Sequence, residues 1–364
     1  MGRIETIKEF LSDRGAQWVE SDGVEMVDHF GDPEGEYESV VDGGLAAIER
    51  GERETLAIFG AEAVPWLQGL VTNDLLDLVD EGNGQRNAMV NTTGRFVGEA
   101  RLLHLPELLF LDLEPKTLHG AGLFSHLKQH IILEDVELAD RSEATWRLGI
   151  YGEQAASILE ELTTWEHDLA DRPPFYGSWA RWQGIDLIAQ RVVWSEVLGF
   201  ELSCATGDAA HLLEGLDEIC DGLPFFGQRT FETLRIESGV PRFGRELYDR
   251  IIPLEAGFED AISFEKGCYL GQEIIARLDT LGTPAKMLRR IVIDSDEVPP
   301  QETEFFPADG GERAIGKVES ATYSPQFEAP VALGFIKRGH NEIGGEVLVG
   351  EEGLTGRIEG ILSL

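Results

Sequence analysis

A cysteine set between glycines, two residues after a lysine, is the setting in this chain best suited to thiol chemistry. The segment FEKGCYLGQEIIAR, Phe264 to Arg277, holds Cys268 behind Gly267 and ahead of Tyr269, Leu270 and Gly271. A thiol attacks or ligates as its thiolate, and a nearby ammonium or a helix N-terminus stabilises that anion. Lys266 offers the first, and a helix expected over Gln272 to Arg277, carrying Glu273, offers the second. The competing reading is a small buried residue, as free cysteines often are. Only seven lysines occur in the whole chain, which makes Lys266 beside Cys268 harder to dismiss. Cys204 and Cys220 have no such neighbours and read as core. Among the histidines, His126 and His130 stand four apart, as on one helical face, but no third metal ligand accompanies them. No GxGxxG or Walker pattern occurs, so nucleotide use is not indicated.

KGCYLGQE, followed by three residues and then Arg277, resembles the signature of the YgfZ family, folate-binding proteins that assist iron–sulfur proteins. Tyr269, Gly271, Gln272, Glu273 and Arg277 carry that resemblance with Lys266 and Cys268. It extends to QGLVTND (Gln68 to Asp74), LRIESGVPRFGREL (Leu234 to Leu247) and PLEAG (Pro253 to Gly257), roughly residues 55 to 345. The wider superfamily contains the aminomethyltransferase of the glycine cleavage system, which shares the fold and binds tetrahydrofolate. At the cysteine position its motif resembles KGDFIGRE, with an acid in place of the thiol. Where those transferases resemble GGILDDLIV, with a catalytic aspartate, this chain has Gly98 and Glu99 within NTTGRFVGEARLL. Where they resemble ARDSLR, it reads TFETLR, with Phe231 in place of an arginine.

The resemblance implies a tetrahydrofolate site. WSEVLGFEL (Trp194 to Leu202) is similar to the superfamily's GEDGFEI, whose acid is expected to bond the pterin amino and ring N–H groups. Glu201 is the first candidate and Glu196 the second, with Glu99 and Asn91 as further folate contacts. A carboxylate matches a two-donor edge, and charge-assisted pairs are the stronger hydrogen bonds. The implied function is tetrahydrofolate-dependent help in assembling or repairing iron–sulfur clusters, with downstream effects on tRNA-modifying radical enzymes. Cys268, activated by Lys266, is the implied reactive group, and iron–sulfur proteins or their assembly machinery are the implied partners. The alternative is tetrahydrofolate-dependent aminomethyl transfer with a lipoyl carrier protein. Arg235 and Glu237, two apart on LRIES, would share one side if that segment were a strand, and so form an internal ion pair.

Charge bounds the partners. The 364 residues carry 67 acids against 30 bases, formally −37. Polyanions are bound through clustered Lys and Arg, and no cluster occurs here, so neither direct nucleic-acid binding nor an acidic membrane surface is expected. The acids run from Glu5 to Glu359 without a block, which reads as a surface adapted to a salt-accumulating, halophilic cytoplasm rather than an interaction tail. With 42% hydrophobic residues and 9% aromatics, the chain has apolar material enough for a core. Three widely spaced cysteines specify neither a disulfide framework nor a zinc cage, and a reducing compartment follows. The opening MGRIETIKEFLSDRG lacks an apolar stretch of signal length, and no window approaches a membrane span, so a cytoplasmic location is expected.

The elements that must position these residues read as α+β. TLAIF (Thr55 to Phe59) is an apolar strand, Ala61 to Gly69 a helix with Pro65 near its first turn, and Asn87 to Val90, Glu99 to Leu105 and Leu108 to Leu113 are three strands. Leu118 to His130 has helical spacing, and IILEDVEL follows as a strand. Strand and helix units recur over Trp146 to Leu162 and Gly184 to Leu216. After the turn-rich LDTLGTP, short strands punctuated by Gly and Pro begin at Lys286. The expected architecture is an aminomethyltransferase-like tripartite fold. Residues 1–285 form two interleaved α+β subdomains, one ferredoxin-like, with a folate pocket between them and Cys268 on a loop at its rim. Residues 286–364 form a C-terminal β-barrel.

Overall fold

The computed structural model describes residues 2–362 apart from 22, 43, 79–81, 163–170 and 283. It opens with α1 (Gly2–Asp13), a hairpin of β1 (Gln17–Ser21) and β2 (Val24–His29), α2 (Pro33–Val41) and β3 (Ala46–Glu49). Next come β4 (Glu54–Phe59), α3 (Ala63–Gln68), β5 (Gly84–Val90), β6 (Phe96–Leu105), β7 (Leu108–Leu113), α4 (Leu123–Lys128) and β8 (Glu137–Asp140). The chain continues through β9 (Thr145–Tyr151), α5 (Ala155–Leu162), β10 (Gly177–Trp182), β11 (Ile185–Val192), β12 (Gly199–Ala205), α6 (Ala209–Ile219), α7 (Gln228–Ser238) and α8 (Gln272–Leu281). Six strands complete it: β13 (Lys286–Ile293), β14 (Glu304–Pro307), β15 (Gly316–Ser324), β16 (Ala329–Lys337), β17 (Glu346–Val349) and β18 (Leu354–Glu359).

Strand alternation sorts side chains into two faces, and here both faces of two sheets are buried. One five-stranded sheet has the order β5-β6-β7-β4-β8, the other β10-β11-β12-β9-β3. Since β3 joins the second sheet before β4 to β8 build the first, the chain passes between the two sheets more than once. The outer face of the first sheet presents Leu56, Ile58, Ala100, Leu102, Leu111 and Leu113 to Trp66, Leu67, Leu123 and Leu127 of its helices. The second sheet packs Leu148, Ile150, Phe200, Leu202 and Cys204 against Leu159, Leu212, Leu213 and Leu216. A buried large aliphatic side chain contributes about 1.5–3 kcal/mol, so these two layers supply the main adhesion.

The inner faces are polar. In the first sheet Arg101 stands opposite Asp112 on β7 and Arg86 on β5. In the second, Glu201 stands opposite Gln190 on β11 and Gly149 on β9. Leu103, Leu105 and Phe110 meet Ile188 as a small apolar contact between the sheets.

The strands β13-β16-β15-β14-β17-β18 close into a barrel that begins at Lys286. Its Leu288, Val331, Leu333 and Phe335 share a core with Val90, Phe96, Tyr269 and Ile275. The cysteine loop is therefore anchored between the first sheet and the barrel.

Four segments differ from the sequence reading. The helix expected over Leu118 to His130 is confined to Leu123–Lys128, because Gly122 takes the left-handed backbone at φ 82° just before it. The strand expected for IILEDVEL forms only over Glu137–Asp140, leaving Ile132 and Leu133 in an exposed connection. LDTLGTP is helical as far as Leu281, with Gly282 closing α8; its Thr283 lies outside the described residues. LRIES is helical, so Arg235 and Glu237 leave α7 in different directions. Arg235 is held by Glu232 and Glu246, while Glu237 accepts from Tyr37 and Ser324. No described helix is long and apolar enough to cross a membrane.

Candidate functional site

Between the inner faces lies a layer of buried charge. Arg53 donates to Asp112 at 2.7 Å and pairs with Glu114. Arg147 and Arg101 also reach Asp112, at 3.1 and 3.2 Å. Burial alone would raise the Asp112 carboxyl, but Arg147, Arg53 and Arg101 outweigh it and hold the group below the ordinary carboxylate range. Glu201 enters the same layer from the facing sheet. It accepts from the Trp194 indole at 3.1 Å and lies 3.7 Å from Arg101 and 3.9 Å from Arg50. The Arg101 guanidinium covers the Trp194 ring at 3.4 Å from its centroid. Glu99, buried on β6, is pushed up to about 7 by burial, against the pull of Arg101 and Arg86.

At the edge of this layer opens a cavity of about 730 Å³. Phe96, Val97, Met26, Phe243 and Tyr248 give it apolar and aromatic walls, and Asn91 lies at its margin. Glu114, Asp249, Lys116, Arg242 and Arg245 supply its charge. Glu114 is 1% exposed, and neither its Oε2 nor the Nε of Arg242, 3.0 Å away, makes a well-directed hydrogen bond. The two face each other as an ion pair of poor hydrogen-bond geometry, which leaves both with unused hydrogen-bonding capacity. Lys116 and Arg245 also stand without an ion-pair partner among the described residues.

Glu114 was missed by the sequence reading. The signal was there: LDLE puts two acids two apart at the end of an apolar strand, which places both on one face.

The remaining sequence candidates are distributed differently. Asn91 shapes its own turn, its Oδ1 accepting from the Thr93 N–H at 2.8 Å and the Thr93 hydroxyl at 2.6 Å. That turn seats against the cysteine loop. A Cβ on Gly271, which has φ 80°, would come within 2.5 Å of the Asn91 carbonyl oxygen. Glu196 is exposed and lines a separate cavity of about 480 Å³ with Tyr37 and Glu237, so it does not join Glu201.

Cys268 is exposed on its loop, and α8 begins four residues later at Gln272. Lys266 is corrected as its activator. All three ammonium protons are taken by the carbonyls of Gln68 at 2.7 Å, Val71 at 3.0 Å and Asn73 at 2.7 Å. Burial lowers its pKa to about 8, and its task is to bolt this loop to the turn after α3. Tyr269 is buried beside it, while Glu273 and Arg277 face solvent on α8. His126 and His130 pack ring to ring, and Nδ1 of His130 lies 2.7 Å from the His126 carbonyl.

Tetrahydrofolate offers a pterin edge of N–H donors, aromatic rings and a carboxylate-bearing tail. A carboxylate with unused hydrogen-bonding capacity, aromatic walls and two cations without an ion pair in one cavity match those features. The residues present therefore fit the group, with Glu114 as the acid on the cavity wall.

Residues 7–266 match the model of the GCVT N-terminal domain, and residues 286–358 that of the glycine cleavage T-protein C-terminal barrel domain. An aminomethyltransferase of Geobacillus kaustophilus is 31% identical over 344 residues, 92% of this chain and 90% of that protein. One from Halalkalibacterium halodurans is 30% identical over 298 residues, 80% of this chain and 78% of that protein. The crystal structure of the glycine cleavage system aminomethyltransferase T from Bartonella henselae superposes with a TM-score of 0.86 at 18% identity, covering 99% of this chain and 97% of that one, a likeness of fold. Members of the family use tetrahydrofolate as substrate or cofactor. With its N-terminal domain and closing barrel both matched, the chain belongs to the glycine cleavage T-protein superfamily.

Proposed function

We propose that this protein binds tetrahydrofolate in the 730 Å³ cavity and handles a one-carbon unit there, with aminomethyl transfer as the reaction. The observation that carries the reading is the cavity itself: a buried carboxylate at Glu114 with unused hydrogen-bonding capacity, aromatic walls, and Lys116 and Arg245 without an ion pair in a chain of net charge −37. A ligand pocket of this size, mostly apolar with a few convergent polar groups, is what a small-molecule site requires.

Glu114 would accept from the pterin N–H edge, and Phe96, Phe243 and Tyr248 would exclude water from the rings. Arg242, Arg245 and Lys116 would hold the tail carboxylates. Bound tetrahydrofolate supplies ring and bridge nitrogens that accept a one-carbon unit. Glu99, neutral over much of the range below pH 7, does not line the cavity; it belongs to the charge layer it shares with Glu114 and would be the carboxyl that holds or accepts a proton there. The relatives' names, and the matched length of the chain, support aminomethyl transfer as the chemistry. The test is formation of methylenetetrahydrofolate from an aminomethylated lipoyl carrier protein. Wild-type turnover with loss in Glu99→Gln supports the reading, and no product from folded wild type sinks the transferase assignment.

A second reading rests on one specific observation. Cys268 is exposed on a loop that carries the full KGCYLGQE pattern and abuts the Asn91 turn beside the cavity. That fits a YgfZ-like folate protein which assists iron–sulfur proteins through an accessible thiol, without help from Lys266. Restoring an iron–sulfur enzyme's activity in a deficient strain tests it. If Cys268→Ser restores as well as wild type, the thiol has no part.

A further inference from the structure

A second cavity, of about 280 Å³, lies against the turn that joins β3 to β4 and shares no lining residue with the folate cavity. Trp18 and Trp146 line it together with Glu25, Glu49 and Glu52. The Glu52 side chain is only 3% exposed. Its Oε1 accepts from Arg50 at 2.8 Å and from Gln228 at 3.2 Å, while its Oε2 has no hydrogen-bond partner. Glu49 is positioned by the Gly51 N–H at 2.7 Å and the Trp146 indole at 2.8 Å. Burial, and after it the neighbouring Glu52, pushes the Glu49 carboxyl up to about 7, a cost that an entering cation would relieve.

The chemistry of these walls selects the ligand. Among the described residues no three His, Cys, Asp or Glu side chains converge closely enough to chelate a metal ion. Indole faces attract cations whose charge is spread over an organic group, and they do so most when water is excluded. The chain itself displays the fit, since the Lys8 ammonium sits 5.4 Å from the Trp18 ring centroid at this cavity and pairs with Glu25. Deeper in, the free oxygen of Glu52 has no such partner.

We propose that this cavity binds a small organic cation, an ammonium or methylated ammonium group, seated between Trp18, Glu49 and Glu52. Occupation would be felt in the inter-sheet charge layer. Arg50, bonded to Glu52, is also the arginine 3.9 Å from Glu201.

Ligand-observed NMR titration of the intact protein with tetramethylammonium chloride, and separately with methylammonium chloride, at constant ionic strength tests this. Saturable binding is expected for at least one of the two, weakened about tenfold in Trp18→Leu and in Glu52→Gln, and strengthened in Lys8→Ala, which removes the competing ammonium. Trp18 is half-exposed, so its variant stays informative even where Glu52→Gln disturbs Arg50. A response to both salts that never saturates, equals that to sodium chloride, or is unchanged in Trp18→Leu overturns the site.

Discussion

Glu99 is a carboxyl group whose charged form the fold disfavours. Its pKa rises from 4.5 to about 7, so between those values the folded protein binds a proton that the unfolded chain has released. Stability must then fall as pH rises through that window. Glu99→Gln should remove that residue's share of the fall, with Glu49 retaining its own, gaining up to roughly 3 kcal/mol relative to wild type between about pH 5 and 7 in urea unfolding. Lys266 and Cys268 make the opposite pair of expectations. Lys266→Met strands three carbonyls in a half-buried turn and should cost roughly 3 kcal/mol, whereas Cys268→Ser, exposed, should stay within about 0.5 kcal/mol of wild type. The sequence named both residues but not the relation between them. Spacing of two brings a lysine near a cysteine along the chain, yet the direction of its ammonium is set by the carbonyls of residues almost two hundred positions earlier. Glu201 was legible from WSEVLGFEL, but its approach to Arg101 depends on a facing sheet that no local pattern reveals.

The strands and their order of appearance were largely readable, because apolar alternation in β4 to β7 and in the barrel is strong and turn residues punctuate it. Segments failed where local pattern and long-range packing disagree. LRIES alternates like a strand, but Phe231, Leu234 and Val240 bury around it in a helical arrangement against Trp194 and Tyr151. IILEDVEL is apolar at its start, but only its last two residues, Glu137 and Leu138, find β4 as a partner. The charge layer between the sheets is the element-scale feature with the largest energetic leverage. Asp112 meets three arginines, and removing one member of a buried ionic cluster leaves uncompensated charge, a loss of about 3–5 kcal/mol. Asp112→Asn should therefore unfold at much lower urea than wild type while retaining the midpoint dependence on pH that Glu99 imposes. An unaltered urea midpoint would mean that water, not Asp112, neutralises Arg53, Arg101 and Arg147.

For the whole molecule, 67 acids against 30 bases put self-repulsion over the entire surface. Salt screens exposed charges beyond about 10 Å at 0.1 M and about 3 Å at 1 M, so raising potassium chloride from about 0.1 to about 2 M should lift the thermal midpoint by more than about 5 °C. A flat or falling midpoint would remove the high-salt reading of the composition. The composition was legible at once, and it says little about chemistry. Site chemistry depends on local charge, and the cavity of Lys116 and Arg245 sets two cations without an ion pair beside aromatic walls and Glu114. Calorimetric titration of tetrahydrofolate into wild type, Glu114→Gln and Arg245→Ala tests the central claim most directly. One-site binding by wild type, weakened about tenfold or more in each variant, is predicted from the loss of a charge-assisted bond. Absence of wild-type binding, or affinity unchanged in both variants, would contradict the account.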